Sequence, residues 1–240
     1  MTVSTLALSA VMACWGILVR QGSAEGRRED NSDWWSSYSG PAYQEAINAQ
    51  PQEREIASSN FQVLGVELAE SMFDQAAVKL GKGTLVERGD ASTGRDQVCY
   101  VSAQGSEKVY LIFEQGEVEF GFYLFTGGPT WHGNDLCAPS NLVSRSTSTE
   151  SGLHLGLTPA QTIAILGQPS YRRPNELIYS LHLLKKMPPE LLDRLRQQHP
   201  ELGDQELMKS YGEYDLWEGV HLKFVRSKLT YLTIGKSETN

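Results

Sequence analysis

The sequence lacks the features that mark several large classes of protein. It has no run of basic residues, and 21 Lys and Arg stand against 29 Asp and Glu, for a formal net charge of −8. This balance provides no electrostatic footprint for nucleic acid. The apolar run Leu6–Val19 has 14 residues, whereas a membrane-spanning helix needs about 20. The apolar content of 40% excludes a disordered chain, which leaves one large or two small globular domains.

The residue patterns of familiar active sites are also missing. The five histidines, at positions 132, 154, 182, 199 and 221, include no i, i+4 pair and no HExxH motif, so the sequence contains no pattern for zinc. No G-x-S-x-G motif is present, and the segment Leu80–Thr84 lacks the glycine and the hydroxyl residue that a phosphate loop requires. We therefore predict a non-enzymatic protein without a cofactor or metal. An enzyme or a small-molecule carrier, with a site between two halves, is the alternative.

The first residues have the composition of a targeting segment. The apolar run Leu6–Val19 has the length of a signal-peptide core, and small residues precede a plausible cleavage site after Ala24. We expect residues 1–24 to be a signal peptide and the protein to be exported, either periplasmic or secreted. Lipidation at Cys14 is the alternative and would add a membrane contact. Residues 25–60 are polar apart from a few aromatics, and we expect them to be loosely ordered.

Cleavage after Ala24 would leave two cysteines, Cys99 and Cys137. Two cysteines in an exported chain most simply form one disulfide. Cys99 lies within an alternating apolar run rather than on an exposed turn, which argues against a cysteine nucleophile. The sequence therefore predicts a Cys99–Cys137 disulfide, with buried free thiols as the alternative.

The order helix, strand, hairpin occurs twice in the chain. Val109–Phe120 and Val220–Tyr231 share the pattern V-x-L-x-F-x4-[VL]-x-[FY], and each is preceded by a strand ending in Tyr and by a helix ending in Leu-Gly. We predict two tandem repeats in an α+β protein, each with one or more short helices packed on one face of a small antiparallel sheet. The repeats span 61–139 and 153–240, a Ser/Thr-rich linker covers 140–152, and a helical insertion lies near 185–215 in the second repeat.

Each predicted hairpin has one face covered by a helix and one open face. In the first hairpin, a turn at Gln115–Gly116 places Phe113 opposite Val118 and Leu111 opposite Phe120. In the second hairpin, the alternation assigns Tyr231 to the covered face and Leu232 to the open one. Aromatic side chains on the open face and in the following glycine-rich loop suit a partner-binding surface. The residues that we predict to contact a partner are Tyr110, Ile112, Tyr123, Trp131, His132 and His221. The alternative is that Tyr110 and Tyr123 pack against the second repeat and that Trp131 caps the sheet edge.

The segment Gly156–Pro169 resembles the G-[ML]-T-x-x-Q-[VI]…LG-x-P signature of the SmpA/OmlA (BamE-like) outer-membrane assembly lipoproteins. As a tandem pair, the chain is similar to the superfamily of β-lactamase-inhibitor proteins, which bind partners on an open sheet surface. The resemblance implies an interaction module that binds a protein or peptide partner through its sheet face and loops, in envelope assembly or inhibition. It does not identify the partner.

Overall fold

Alternating apolar residues form most of the strands of this protein. The structure is a computed structural model that describes residues 55–88, 94–127 and 136–239. A one-turn 3-10 helix (Ser58–Phe61) precedes the strands and helices. These are β1 (Gln62–Val63), β2 (Val66–Glu67), α1 (Met72–Leu80), β3 (Leu85–Arg88), β4 (Arg95–Ser102), β5 (Val109–Gln115), β6 (Glu119–Thr126), β7 (Ala138–Ser140), α2 (Pro159–Leu166), β8 (Tyr171–Arg173), β9 (Glu176–Lys186), α3 (Pro189–Gln198), α4 (Asp204–Tyr211), β10 (Glu213–Val225) and β11 (Lys228–Thr239).

Nine of these strands form one sheet, in the order β3-β4-β5-β6-β11-β10-β9-β8 with β7 beside β4. All pairings are antiparallel except that of β7 with β4. Because β5 occupies one edge of β4, the short strands β3 and β7 share its other edge. The α+β class is confirmed. The two separate small sheets that we predicted are instead continuous, because β6 pairs with β11 along the register Phe125–Tyr231 to Glu119–Ser237.

The helices α1 and α2 contact the same apolar core on one side of the sheet, which we call the inner face. α2 begins with a capping box, in which the side chains of Thr158 and Gln161 each accept a hydrogen bond from the backbone N–H of the other residue. Both helices end at a glycine in the left-handed region, where a side chain would be strained: φ is 94° at Gly81 and 86° at Gly167.

A tyrosine in the sheet holds the end of each helix. The Tyr100 hydroxyl in β4 donates a hydrogen bond to the Gly81 carbonyl at 2.9 Å, and the Tyr179 hydroxyl in β9 donates one to the Gly167 carbonyl at 3.0 Å. Burial raises the pKa of both hydroxyls above the ordinary value, so both remain protonated donors. Each bond satisfies a carbonyl that the end of a helix leaves without an intrahelical partner.

The first hairpin has a different register from the one that we predicted. Phe113 lies opposite Phe122 and Leu111 opposite Leu124, so the predicted turn at Gln115–Gly116 is wrong. The Gly116 N–H donates to the Glu119 carbonyl at 2.8 Å, which moves the two-residue turn to positions 117 and 118. The longer strands pair two fully buried phenylalanines. Because the register moves by an even number of residues, each side chain keeps its predicted face.

A β-bulge changes the faces in the second hairpin. Lys223 pairs with Tyr231 while Phe224 pairs with Leu229, so Thr230 has no cross-strand partner. Its hydroxyl donates to the Lys223 carbonyl at 3.3 Å. The extra residue turns Tyr231 away from the core and Leu232 into it, which reverses the two predicted assignments.

The segment 140–152, predicted as a linker, is held by hydrogen bonds to the start of the described chain. The Glu150 N–H donates to the Gln62 carbonyl and the Ser151 N–H to the Ser59 carbonyl, both at 3.1 Å. Thr147 and Thr149 are buried within it. The segment therefore connects the two halves of the chain and is also packed as part of the fold. Of the segment 25–60, only 55–60 are described; the remainder, and the predicted signal peptide, lie outside the described residues.

The predicted insertion is present as the two helices α3 and α4 between β9 and β10. They have a small apolar cluster of their own, centred on Met187, Leu192 and Leu207. Gly203 precedes α4, and Pro200 lies between the helices. The insertion therefore packs at the end of the β9–β10 pair rather than across the main core.

The predicted disulfide between Cys99 and Cys137 is confirmed. It closes a segment with a sequence separation of 38 and ties the start of β7 to β4. We expect the double variant Cys99→Ala/Cys137→Ala to lose about 3–4 kcal/mol of unfolding free energy, because the unfolded chain regains the entropy of the open loop. Urea unfolding of the variant and of the oxidised wild type measures the difference. Equal midpoints and slopes would contradict it.

Candidate binding surface

The sheet face opposite α1 and α2, which we call the outer face, carries the predicted partner-contacting residues. Tyr110, Ile112 and Tyr123 cluster there, together with Cys99 and Phe125. Ile112 is only 6% exposed and Tyr123 only 1%, whereas Tyr110 is half-buried. The structure thus brings these three residues together, but it buries two of them. Trp131 and His132 lie outside the described residues.

A row of stacked side chains crosses the outer face. Tyr110, Phe125 and Tyr231 occupy directly opposite positions on β5, β6 and β11. Their ring centroids are 5.4 Å and 5.3 Å apart in nearly parallel planes, and the Lys223 Nζ lies 5.7 Å from the centroid of the Tyr231 ring. Tyr231 was assigned to the other face by sequence, and the bulge at Thr230 is what places it in this row.

His221, the sixth predicted contact residue, is 7% exposed on the outer face of β10. Its Nε2 lies 3.9 Å from a carboxylate oxygen of Glu176. Burial, reinforced by the positive charges of Lys223 and Arg173, lowers the pKa of His221 to about 3. The imidazole is therefore neutral across the physiological range, and its side chain forms part of the protein interior.

A buried carboxylate lies beside this cluster. Glu114 is fully buried and accepts hydrogen bonds from Tyr123 Oη at 2.8 Å and from Gln97 Nε2. The Arg95 guanidinium lies 3.8 Å from Glu114 and donates to Glu119 at 2.7 Å. Burial alone would lower the pKa of Arg95, but the bond to Glu119 and the two negative charges raise it. A buried charge with this many partners stabilises a unique arrangement of strands.

The outer face therefore differs from the open surface that the alternating pattern predicted. Gly121, Gly235 and Gly219 stand at opposite positions on β6, β11 and β10, and all three are buried. Together with the aromatic row and the Glu114 network, they make a face whose central positions have little contact with solvent. A partner could bind there through the half-buried rings only.

The exposed backbone lies at the other side of the sheet, along β9. This strand has 11 residues, but β8 pairs only with Glu176, Leu177 and Ile178. The next outward-facing residue is Ser180, whose N–H and carbonyl both bond to the Ser170 hydroxyl. Backbone groups alternate along a strand, so those of His182, Leu184 and Lys186 point the same way. None of these three has an outward backbone partner among the described residues.

The side chains along this edge are also accessible. His182, Leu184 and Lys186 are all exposed, and Leu184 is exposed to 62%. His182 stacks on Trp217 at a centroid distance of 3.7 Å and hydrogen-bonds to Asp215 at 2.5 Å. These two contacts hold the His182 side chain against β10. We call the stretch from Leu181 to Lys186 the β9 edge.

The β9 edge ends at a shallow pocket beside the helical insertion. The pocket has a volume of about 390 Å³ and is lined by Lys186, Met208, Lys209, Gly212 and Glu213. Met208 and Lys209 belong to α4, which packs on β10, while Lys186 and Glu213 are opposite residues of β9 and β10. Met208 is 47% exposed, so the pocket offers an apolar and a basic surface at one place.

Sequence reasoning did not single out the β9 edge. The segment Leu181–Leu184 is apolar apart from His182 and so is typical of a buried strand, and the sequence contains no signal for how far β8 extends along it. One hint was available: the second repeat has an insertion beside this strand, and insertions are frequent carriers of binding surfaces. Knowledge of the strand order was needed to see that the insertion adjoins a free edge.

The residues that the structure describes include no group of three or more His, Cys, Asp or Glu side chains arranged to hold a metal ion. None of the helices in 55–88, 94–127 and 136–239 is long and apolar enough to cross a membrane.

Comparison with known proteins assigns no family to the chain: no family model, no curated protein and no solved structure matches it at a significant level.

One titratable group lies on the inner face near the β9 edge. Glu218 in β10 is half-buried, and its carboxylate accepts a hydrogen bond from the Ile56 N–H. Its Oε2 is buried without a hydrogen-bond partner among the described residues. Burial raises the pKa of Glu218 to about 7, although Lys185 and Lys236 act in the opposite direction. The carboxyl thus titrates near neutral pH.

We expect Glu218→Gln to change how stability depends on pH. Between its ordinary pKa and about 7, folded Glu218 holds a proton that the unfolded chain has released, so its stabilising effect is present at low pH and is lost as pH rises through 7. The difference in unfolding free energy between the variant and wild type should therefore shift in favour of the variant by on the order of 1 kcal/mol from about pH 5 to about pH 8. This figure is reduced for solvent screening. Urea unfolding at both pH values measures it. Glu213→Gln, an exposed carboxylate of the same strand, is the control, and an identical pH response in Glu218→Gln and wild type would rule the effect out.

Proposed function

We propose that this protein is an exported interaction module that binds an extended segment of a partner protein as an additional strand along the β9 edge. The observation that carries the proposal is the row of outward N–H and C=O groups at His182, Leu184 and Lys186, which no described residue satisfies. Such a row is a template for pairing with another chain. Main-chain hydrogen bonds of this kind provide affinity for many peptides, and side-chain pockets provide selectivity.

The length and surroundings of the β9 edge suit it to binding a partner strand. The edges of natural sheets are usually short or covered, and β3, at the opposite side of this sheet, has only four residues. The β9 edge is longer, has exposed Leu184 at its centre, and leads to the pocket beside α4. Strand addition there would extend a large existing sheet, so the bound segment would gain neighbours on one side without any rearrangement of the core.

Export is supported by the Cys99–Cys137 disulfide, because such bonds persist in oxidising compartments. The expectation that the protein is not an enzyme remains part of the proposal. The likeness of residues 156–169 to the BamE-like signature corresponds to α2, its capping box and its terminal glycine. Those features specify a helix and do not form a binding surface, whereas the β9 edge does.

We further propose that the fold consists of two tandem units joined through β6 and β11. Each unit would contain a helix followed by four strands. In the sheet, the strands of the first unit lie in the order β3-β4-β5-β6, and those of the second follow in reverse order, β11-β10-β9-β8. The equivalent bonds of Tyr100 to Gly81 and of Tyr179 to Gly167 support this correspondence. In this arrangement β7 covers the positions of β4 that correspond to Tyr179–Leu181, so the β9 edge extends beyond the part of the strand that is covered in the first unit.

The two tyrosine bonds provide a test of that correspondence. We expect Tyr100→Phe and Tyr179→Phe each to lower the unfolding free energy by about 1–2 kcal/mol, because each leaves a helix-end carbonyl without its donor. Chemical unfolding of both single variants measures the losses, with Tyr211→Phe in α4 as a reference. Losses that differ between the two by several kcal/mol would mean that the bonds are not equivalent.

Strand addition is tested most sharply at Leu184. Proline at this position removes an outward N–H but no bond to β10, because the inward groups belong to the odd-numbered residues. Linear peptides selected from a random phage-displayed library on wild-type protein would be measured by fluorescence polarisation. We expect Leu184→Pro to weaken their binding about tenfold or more, the effect of roughly one lost hydrogen bond and a steric clash.

Leu184→Ala is the matched control, because it shortens the side chain and keeps the N–H. It should retain most of the affinity, and the thermal unfolding of both variants should stay close to that of wild type. Failure to select any peptide, or equal binding to Leu184→Pro and wild type, would refute strand addition.

A further inference from the structure

We infer that the segment recognised at the β9 edge is acidic, with an apolar side chain beside Leu184 and a carboxylate two residues away, beside Lys186. The inference rests on the proposed strand addition and adds the chemistry of the partner. It follows from the side chains that border the edge and from the pocket at its end.

Leu184 and Lys186 lie on the same side of β9 because side chains alternate along a strand. Opposite residues of neighbouring strands have their side chains within contact distance. An added strand therefore places one side chain beside Leu184 and another, two positions along, beside Lys186 and the pocket. The exposed Leu184 favours an apolar neighbour at the first of these positions.

The second position faces an excess of positive charge among the described residues that line the pocket. Lys186 and Lys209 are both exposed, both line the pocket, and neither makes an ion pair with a described residue. The neighbouring Lys185 differs, because it bonds to Glu55 at 3.1 Å. Glu213 is the only carboxylate among the lining residues, which leaves two cations against one anion.

This local excess of positive charge contrasts with the formal net charge of −8. A carboxylate from an added strand would balance it, whereas a basic partner would be repelled. The same charge disfavours a second copy of this chain, since pairing of two β9 edges would bring the Lys186 side chains of both copies into one short ribbon. Met208, which also lines the pocket, would give the aliphatic part of a Glu side chain an apolar contact.

Three synthetic peptides with one β-branched sequence, differing only by Glu, Gln or Lys at the position beside Lys186, test the inference. We expect wild-type protein to bind the Glu peptide about tenfold more tightly than the Lys peptide, with Gln between them. The double variant Lys186→Glu/Lys209→Glu should invert this order. A matched control, Lys82→Glu/Lys228→Glu, changes the net charge equally but away from the edge, and should preserve the wild-type order.

The outcomes separate this inference from the proposed function. Equal binding of the three peptides, abolished in each case by Leu184→Pro, would overturn the acidic preference while strand addition remains. Binding that Leu184→Pro leaves unchanged would refute both. Sedimentation velocity without peptide provides the remaining comparison: a wild-type dimer that Leu184→Pro dissociates would identify a second copy as the occupant and would overturn the peptide inference.

Discussion

The antiparallel pairing of β6 with β11 is the constraint on which the rest of the structure depends. Through the register Phe122–Ile234 and Leu124–Leu232, it joins strands from the two halves of the chain and unites their apolar side chains in one core. A half-size unit would bury a smaller share of its surface and be correspondingly marginal. Continuity across this pair therefore lets α1 and α2, both too short to be stable alone, pack on a common surface.

The same pair determines what the outer face contains. Its register aligns Gly121 with Gly235 and, through β10, with Gly219. Glu114 lies directly opposite Gly121 on β5, and the stacked rings lie further along the same strands. A change of the β5–β6 register by one residue would turn β5 over, sending the Glu114 carboxylate towards the apolar core. The buried polar network thus disfavours the alternative register more strongly than apolar packing alone would.

Much of the local structure follows from the sequence, because it depends on neighbours in the chain. The capping box at Thr158, the glycine ends of α1 and α2, the disulfide and the even-odd faces of β5 and β6 were all predictable. The bulge at Thr230 was not, since it inserts one residue without a marked sequence signal and thereby reverses Tyr231 and Leu232.

The candidate binding surface was the least predictable part. Alternation identifies residues that share a face, and Tyr110, Ile112 and Tyr123 do so, but it does not reveal whether that face contacts solvent. The burial of Tyr123 and His221 depends on tertiary packing. The free edge of β9 depends on the difference in length between β8 and β9 and on the strand order, both of which are set by contacts distant in sequence.

The covalent ring closed by Cys99 and Cys137 has a consequence for resistance to proteolysis. Between β4 and β5, the loop 103–108 is exposed throughout, and an exposed loop is where proteases cut most readily. Because this loop lies inside the ring, a single cut there creates two polypeptides that stay linked through sulfur. The pairing of β4 with β5 and β7, together with the disulfide, would then hold the fragments together. The protein should persist as a nicked, fully assembled molecule in a protease-rich environment.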